Sequence, residues 1–436
     1  MLSLIDLTAT ELADYSAVLP RARFDVGQAM ATVAPICAAV RDEGLVALRR
    51  FSERFDSVIP EHFRVPQAAL RQALAELDAG VRQAIETAIA RRRLVCERIE
   101  EEPAWRSVEV APGAVVGNAI VPVRRVGLYV PGGLAPLASS VVMNVVPAQV
   151  AGVQSLAVAT PPQVESGGLP HPVTLATCAL LDIDEVYAVG GAQAIAMFAH
   201  GVAELCPRVD MITGPGNVYV VAAKRLLRGL AGIDAEAGPT EIAILADRTA
   251  VPAQVAADLI SQAEHDPLAS ALLVTDSPAL ASAVDQEVAR QLAGLATADR
   301  LRISLTGQQS GIILVRDLVQ GLAVVNDYAA EHLEIQTRNS LELVNQVRNA
   351  GAIFVGTGSP VPLGDYCAGS THVLPTGGAA RYSSGLTVRS FRRSIHVIDY
   401  SAAALAEVGQ RVVDFAHAER LPGHAAAVLA RTATER

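Results

Sequence analysis

Apolar residues recur at helical spacing in the first part of the chain. Residues 28–55 and 67–102 carry them every three or four positions, as at Leu70, Leu74 and Leu77. This spacing predicts amphipathic helices. The segment ERFDSVIPEHFRVP between them predicts a turn or loop. Around residues 108–130 the apolar period shortens, which predicts strands.

Strand-like and helix-like segments alternate from residue 128 onward. The first series predicts strands at 128–130, 155–160, 185–191 and 209–214, with helices near 137–151, 172–181, 192–200 and 217–229. The second predicts strands at 241–247, 271–276, 311–317, 331–336 and 352–356, with helices near 252–265, 278–295, 318–328 and 339–350. Such alternation predicts two α/β units with parallel sheets. Ligands of these sheets bind beyond the carboxyl ends of the strands, and we expect the site there.

The segments after the second series differ in character. Residues 357–390 are rich in Gly, Pro, Ser and Thr, which is typical of loops. Residues 391–436 are predicted to be helical and carry few bulky apolar side chains. Such a tail needs another surface to pack on.

Composition narrows the class of protein. Hydrophobic residues make up 51% of the 436 residues and charged residues 18%, which excludes a disordered chain or a coiled coil. The net charge of −10 argues against a nucleic-acid partner. No apolar run reaches the roughly 18 residues of a membrane span, and the acidic N-terminus is unlike a signal peptide. Five widely spaced cysteines without a CxxC pair indicate reduced thiols, and we expect a cytoplasmic protein.

Three glycine-rich loops follow strands of the first series: YVPGG (129–133), VGGAQ (189–193) and TGPGN (213–217). Each lets backbone N–H groups approach a phosphate at a helix N-terminus. A single loop of this kind is more often an ordinary tight turn. Three at corresponding strand ends favour a nucleotide cleft, although the fingerprint G-x-G-x-x-G is absent.

Several polar residues could hold a metal or transfer protons. Gln262 and His265 are three apart and share one helix face. Further oxygen and imidazole donors, suited to zinc or manganese, lie in two later segments: Asp365 and His372, then His417, Glu419 and His424. Spacing alone leaves open which of these residues bind a metal.

The adjacent Glu331 and His332 could supply two bases, although a lone histidine there is usually a core residue. Cys367 is an alternative nucleophile.

The motifs GLYVPGG, VGGAQAIA, GPGN, AGPTE, SQAEHD, AAEHLEIQ and GDYCAGSTHVLPT occur in this order. Together they resemble histidinol dehydrogenase over nearly the whole chain. The resemblance implies oxidation of L-histidinol to L-histidine with two NAD molecules, through a bound aldehyde. It also implies one zinc ion per subunit, held by Gln262, His265, Asp365 and His424, which anchors the substrate.

The resemblance assigns further roles. His332 is expected to take the hydroxyl proton and Glu331 to activate water. The expected NAD contacts are Tyr129, Gln193 and Asn217. The expected substrate contacts are Thr240, Gln262, His265, His332, Asp365, His372, Glu419 and His424.

The resemblance also implies a homodimer in which the tail crosses to the partner, so that two chains build each site. We expect two Rossmann-like, incomplete doubly wound domains between an N-terminal arm and the C-terminal tail. The predicted parts are the arm (1–22), a metal and substrate domain (23–128 with 240–385), an NAD domain (129–239) and a dimerisation tail (386–436).

Two residues depart from the family pattern, and other functions stay open. Thr240 stands where many members have Ser, and Thr371 stands where Asn is usual. The second difference bears on the fit of the substrate loop.

Related dehydrogenases that act on another polar alcohol are the closest alternative function. A zinc hydrolase would need no nucleotide loops. A non-catalytic nucleotide-binding protein would not need Glu331 and His332 beside a metal set.

Overall fold

The computed structural model describes residues 1–22, 25–132, 136–236 and 238–432. Its strands are β1 (Ser3–Asp6), β2 (Trp105–Ala111), β3 (Ala114–Pro122), β4 (Arg125–Tyr129), β5 (Ser155–Thr160), β6 (Val186–Ala188), β7 (Met211–Thr213), β8 (Gly232–Ile233), β9 (Glu241–Ala246), β10 (Ser270–Thr275), β11 (Gly311–Leu314), β12 (His332–Gln336), β13 (Ala352–Val355) and β14 (Arg392–Tyr400). Its helices are α1 (Val26–Glu43), α2 (Leu45–Phe51), α3 (Gln67–Ala75), α4 (Ala79–Val95), α5 (Ala138–Ala151), α6 (Pro172–Leu180), α7 (Gly191–His200), α8 (Val218–Leu227), α9 (Pro252–Ala263), α10 (Pro278–Leu292), α11 (Ala298–Thr306), α12 (Leu318–Tyr328), α13 (Ser340–Val344), α14 (Val361–Tyr366), α15 (Ala402–Ala418) and α16 (Pro422–Thr432). None of these described helices has the length and apolar character needed to cross a membrane.

A six-stranded parallel sheet has the order β1-β11-β10-β9-β12-β13. Helices α9, α10 and α11 cover one face, while α12, α13 and the N-terminal arm cover the other. Its central strands are therefore buried on both faces, which explains their uninterrupted apolar runs. The order of the strands reverses between β9 and β12, so this pair forms a topological switch point.

A five-stranded parallel sheet has the order β6-β5-β4-β7-β8. Helices α1, α7 and α8 pack on one face, and α3, α4, α5 and α6 on the other. Its switch point lies between β4 and β7. The two parallel sheets confirm the predicted α/β class.

The first four helices do not follow the predicted grouping of residues 23–128 with 240–385. They pack on the five-stranded sheet, and β4, which begins at Arg125, belongs to the same sheet. The spacing of apolar positions identifies an amphipathic helix but not the sheet that its apolar face covers. How the chain divides into independently folding domains stays a prediction.

The prediction of helix throughout 391–436 is wrong for its first part. Residues 392–400 form β14, which pairs antiparallel with β3 in a three-stranded sheet of order β14-β3-β2. Most of β14 is exposed, so its sequence RRSIHVIDY lacks the apolar run of a buried strand. Helices α15 and α16 then form a hairpin whose small core consists of Val413, Ala416 and Ala425.

Two buried carboxyl groups lie close together where α9 packs on the six-stranded sheet. They belong to Glu334 on β12 and Asp258 on α9. The amide nitrogen of Gln336 donates to Glu334 Oε1 at 3.0 Å and to Asp258 Oδ2 at 3.4 Å. Burial raises the pKa of both carboxyl groups. A carboxyl group with a raised pKa favours the folded state most while it is protonated, below its unfolded-state pKa. That contribution is lost as the pH rises through the folded-state value.

Substituting Glu334→Gln should therefore stabilise the protein increasingly at higher pH. The substitution removes a buried ionisable group and keeps the size of the side chain. We expect the free energy of unfolding to increase by on the order of 1–3 kcal/mol at pH 9, and by clearly less at pH 5. Urea denaturation of both proteins across this range measures the difference. An equal effect at both pH values would contradict the explanation.

Candidate active site

Glu331 and His332 lie where strand β12 begins in the six-stranded sheet. Glu331 immediately precedes the strand, His332 is its first residue, and both are buried. His332 lies between Ile242 of β9 and Ala352 of β13 in the register of the sheet. The pair therefore occupies the amino end of the switch point between β9 and β12.

The predicted location at the carboxyl ends of the strands is wrong for this sheet. Thr240 precedes β9 just as Glu331 precedes β12, and His265 lies in the loop that leads into β10. All three therefore lie at the amino edge of the six-stranded sheet. A strand–helix pattern shows that a sheet is parallel, but it does not show which edge faces the other half of the molecule.

Two donors converge on one oxygen of Glu331. The Thr240 hydroxyl donates to Glu331 Oε2 at 2.5 Å, and the Glu241 backbone N–H donates to the same oxygen at 3.0 Å. Burial nevertheless raises the pKa of Glu331 to about 8. A carboxyl group in this range can both take up and return a proton near neutral pH.

The backbone of Glu241 also orients His332. His332 Nδ1 lies 3.1 Å from the Glu241 carbonyl oxygen. Because a carbonyl oxygen only accepts hydrogen bonds, Nδ1 carries the proton and Nε2 is left as the basic nitrogen. Burial lowers the pKa of His332, which favours the neutral base. Arg21 holds Glu241 in turn through an ion pair of 2.9 Å.

Glu241 and Arg21 were not among the residues singled out from the sequence. Glu241 is a charged residue that opens the otherwise apolar run EIAILA, and it is almost completely buried. Glu241 could have been identified from the sequence because it is a carboxylate at the start of a buried strand. Nothing in the sequence around Arg21 links it to Glu241.

Gln262, His265 and Asp365 are three of the four predicted metal ligands. His265 Nε2 lies 3.7 Å from Asp365 Oδ2, which is close to the roughly 3.4 Å that separates two ligands of one tetrahedral zinc ion. The Gln262 amide donates to the Thr240 hydroxyl, while its buried Oε1 atom has no hydrogen-bond partner. An imidazole, a carboxylate and an unpartnered amide oxygen fit a zinc ion.

His265 and Asp365 each stabilise the charged form of the other. The Asp365 carboxylate raises the pKa of His265 above its usual value. Burial opposes ionisation of Asp365, but His265 and the neighbouring His332 and His372 keep its pKa below the usual value overall. Asp365 is therefore ionised, as a metal ligand must be.

The tail residues Glu419 and His424 are exposed on the α15–α16 hairpin. Across the described ranges, no three His, Cys, Asp or Glu side chains converge on one point where they could hold a metal. A single chain therefore does not bring His424 to His265 and Asp365. The predicted fourth ligand and the Glu419 contact stay predictions that need a second chain.

Both ring nitrogens of His372 bond to other residues of the chain. Nδ1 lies 3.0 Å from the Asp365 carbonyl oxygen, and Nε2 lies 3.3 Å from the Ser140 hydroxyl. Burial lowers the pKa of His372. His372 thus bonds to the backbone of α14, the helix that carries Asp365, and it joins this helix to α5, which packs on the other sheet.

The three predicted nucleotide contacts lie at the carboxyl edge of the five-stranded sheet. Tyr129 ends β4, and its hydroxyl accepts the N–H of Gly191 at 3.0 Å. Gln193 is buried in the first turn of α7. Asn217 caps α8 by accepting from Tyr219 N at 3.1 Å. The first glycine loop ends at residue 133, which lies outside the described residues.

The parallel sheets, the switch points and the buried Glu331–His332 pair are features of an α/β enzyme. The family model for histidinol dehydrogenase matches residues 19–432. Histidinol dehydrogenase of Cutibacterium acnes is 62% identical over 99% of each chain, and that of Thermobifida fusca is 60% identical over 100% of this chain and 98% of its own. The crystal structure of histidinol dehydrogenase from Elizabethkingia anophelis has a TM-score of 0.90 at 30% identity, covering 99% of this chain and 98% of that one.

The chain belongs to the histidinol dehydrogenase family. It is an oxidoreductase, and the family predicted from its sequence motifs is confirmed. The identities to curated relatives extend over the whole length, so they include the sheets, the loops and the tail alike.

Proposed function

We propose that this enzyme oxidises L-histidinol to L-histidine in two successive NAD-linked steps, through L-histidinaldehyde that stays bound. The observation that carries the proposal is the buried pair of Glu331 and His332, which share the Glu241 backbone as a partner. Burial shifts the pKa of the carboxyl group up to about 8 and that of the imidazole down. One site thus holds two bases suited to two different proton transfers.

His332 acts first in the proposed sequence. Its Nε2 accepts the hydroxyl proton of the alcohol as the carbon loses a hydride, which produces the aldehyde. When bound at the carboxyl edge of the five-stranded sheet, NAD supplies the hydride acceptor for each step. His332 must then release its proton before the second oxidation.

Glu331 acts on water in the second half of the reaction. It removes one proton as the water oxygen bonds to the aldehyde carbon, while protonated His332 releases its proton to the aldehyde oxygen, which produces the hydrate. His332 then accepts a hydroxyl proton of the hydrate as the carbon loses its second hydride, and the acid forms. The Thr240 hydroxyl, which donates to Glu331, holds the carboxylate in place and favours its ionised form.

Gln262, His265 and Asp365 would hold one zinc ion per subunit, with His424 of the partner subunit as the fourth ligand. When bound, zinc supplies an anchor for the imidazole and amino nitrogens of the substrate. The buried Oε1 of Gln262 has no hydrogen-bond partner, which supports the assignment of Gln262 as a zinc ligand. The protein folds around two apolar cores on each sheet, so the apoprotein should keep its structure.

The exposed apolar surface supports a homodimer with shared sites. Large apolar side chains are solvent-exposed on the three-stranded sheet and on the hairpin in the single chain: Trp105, Val108, Val110, Ile398, Phe415 and Leu429. A second copy that covers this surface can bring its own tail to the site. The partner's Glu419 would then contact the substrate.

The test is formation of NADH, followed at 340 nm, from L-histidinol and NAD. We expect turnover that stops when a chelator removes the metal and returns when zinc is added back. His265→Ala should lose zinc and turnover while its far-ultraviolet circular dichroism is unchanged. No absorbance change with wild-type enzyme would favour a hydrolase, and faster turnover of another polar alcohol would favour a related dehydrogenase.

A further inference from the structure

A line of hydrogen bonds joins the nucleotide side of the molecule to the metal side. The Thr213 hydroxyl donates to Asn144 Oδ1 at 2.9 Å, and Asn144 Nδ2 donates to the Ser140 carbonyl at 2.8 Å. The Ser140 hydroxyl lies 3.3 Å from His372 Nε2, and His372 Nδ1 lies 3.0 Å from the Asp365 carbonyl oxygen. The line thus begins at the end of β7, crosses α5 and ends at a predicted metal ligand.

Each bond in this line has a fixed direction. His372 Nδ1 must donate to a carbonyl oxygen, so in the neutral ring Nε2 accepts and the Ser140 hydroxyl donates. Asn144 presents its nitrogen to the Ser140 carbonyl, so its oxygen must accept from Thr213. Ser140, Asn144 and Thr213 are essentially inaccessible to solvent. Water therefore cannot replace any of these partners without a rearrangement.

Thr213 directly precedes the loop predicted to contact the nucleotide. The next residue, Gly214, has φ of +113°, donates its N–H to Asp234 Oδ2 at 2.8 Å and accepts from Lys224 Nζ at 3.0 Å. A Cβ atom on Gly214 would lie 2.0 Å from the Tyr129 carbonyl oxygen. The backbone of this loop therefore packs directly on the end of β4. Asn217 follows in the same loop. Movement of this loop would disturb Thr213 and, through it, the whole line.

We propose that Ser140, Asn144 and Thr213 are positioning residues that couple nucleotide binding to the seating of the substrate beside Asp365. The proposal rests on the proposed function, because it takes L-histidinol as the ligand on the metal side. Nucleotide bound against the loop after β7 holds Thr213 on Asn144. The same line then holds His372 and the backbone of Asp365 in the orientation that receives the substrate.

Binding of L-histidinol to the zinc-loaded dimer, with and without NADH, tests the coupling by calorimetry. These two ligands cannot react with each other. In the wild type we expect NADH to tighten histidinol binding at least about fivefold. In Asn144→Leu, which replaces the amide with an apolar side chain of similar size, the ratio should fall to within about twofold of one. Thr213→Val, which removes only the hydroxyl, should reduce the ratio in the same way.

Thr177→Val is the matched control. This buried threonine on α6 donates only within its own helix, to the Val173 carbonyl at 2.8 Å, so the variant should keep the wild-type ratio. Wild-type ratios in both Asn144→Leu and Thr213→Val, with zinc content and histidinol turnover intact, would overturn the coupling and leave the proposed function standing. Absence of both histidinol binding and turnover in the wild type would overturn the two together.

Discussion

Co-expression of the inactive variants Asp365→Ala and His424→Ala should recover about a quarter of the wild-type activity in the whole population of dimers. Asp365 lies beside His265 at the amino edge of the six-stranded sheet, whereas His424 is exposed on the tail hairpin of the same chain. If the tail crosses to the partner, each mixed dimer has one intact site and one site with both defects. Random assortment makes about half of all dimers mixed, so about a quarter of all sites are intact.

The matched control combines Asp365→Ala with His265→Ala. Both residues contribute to the site from the same chain, so every site in a mixed dimer keeps one defect. We expect no recovery in this pair after co-expression and purification. Absence of recovery in the first pair as well would show that His424 and Asp365 do not come from different chains.

Glu331→Gln should slow oxidation of supplied L-histidinaldehyde by about 10²- to 10⁴-fold, the usual effect of losing a general base. The glutamine can still accept from the Thr240 hydroxyl and the Glu241 N–H, so the local structure should persist. The first oxidation, from alcohol to aldehyde, needs no activated water and should be slowed much less. Rapid-reaction measurements of NADH formed from each substrate separate the two steps.

Glu334→Gln provides the control for this substitution. It makes the same chemical change in a buried residue of β12 that accepts a hydrogen bond from Gln336 and forms none with Glu331 or His332. Both oxidation steps should keep rates close to the wild type. Equal slowing of the two steps by Glu331→Gln would count against its role in activating water.

Most strands of the two parallel sheets could be predicted closely from the sequence, whereas β1 and β8 were not predicted. Residues 155–160 were predicted as a strand and form β5 with the same limits, while 241–247 is longer than β9 by one residue. These strands are buried on both faces, so their apolar runs end abruptly at polar or turn residues. Strand β14 was missed because its side chains are largely exposed.

The assembly of the site was harder to predict than its residues. The motifs led to Glu331, His332, Gln262, His265 and Asp365, which the fold brings to one region at the amino edge of a sheet. That edge depends on how the two sheets face each other, which local spacing does not encode. Asn144 was missed although it is a lone amide within the apolar helix VVMNVVPA, a pattern that often indicates a buried polar contact.

The number of NADH molecules formed per L-histidinol consumed tests the central claim most directly. With limiting histidinol, excess NAD and an aldehyde-trapping reagent, we expect two NADH per histidinol, one L-histidine formed and no trapped aldehyde. Two bases in one buried site account for both oxidations without release of the aldehyde. A ratio of one NADH per histidinol, with the aldehyde recovered in the trap, would contradict the proposed function.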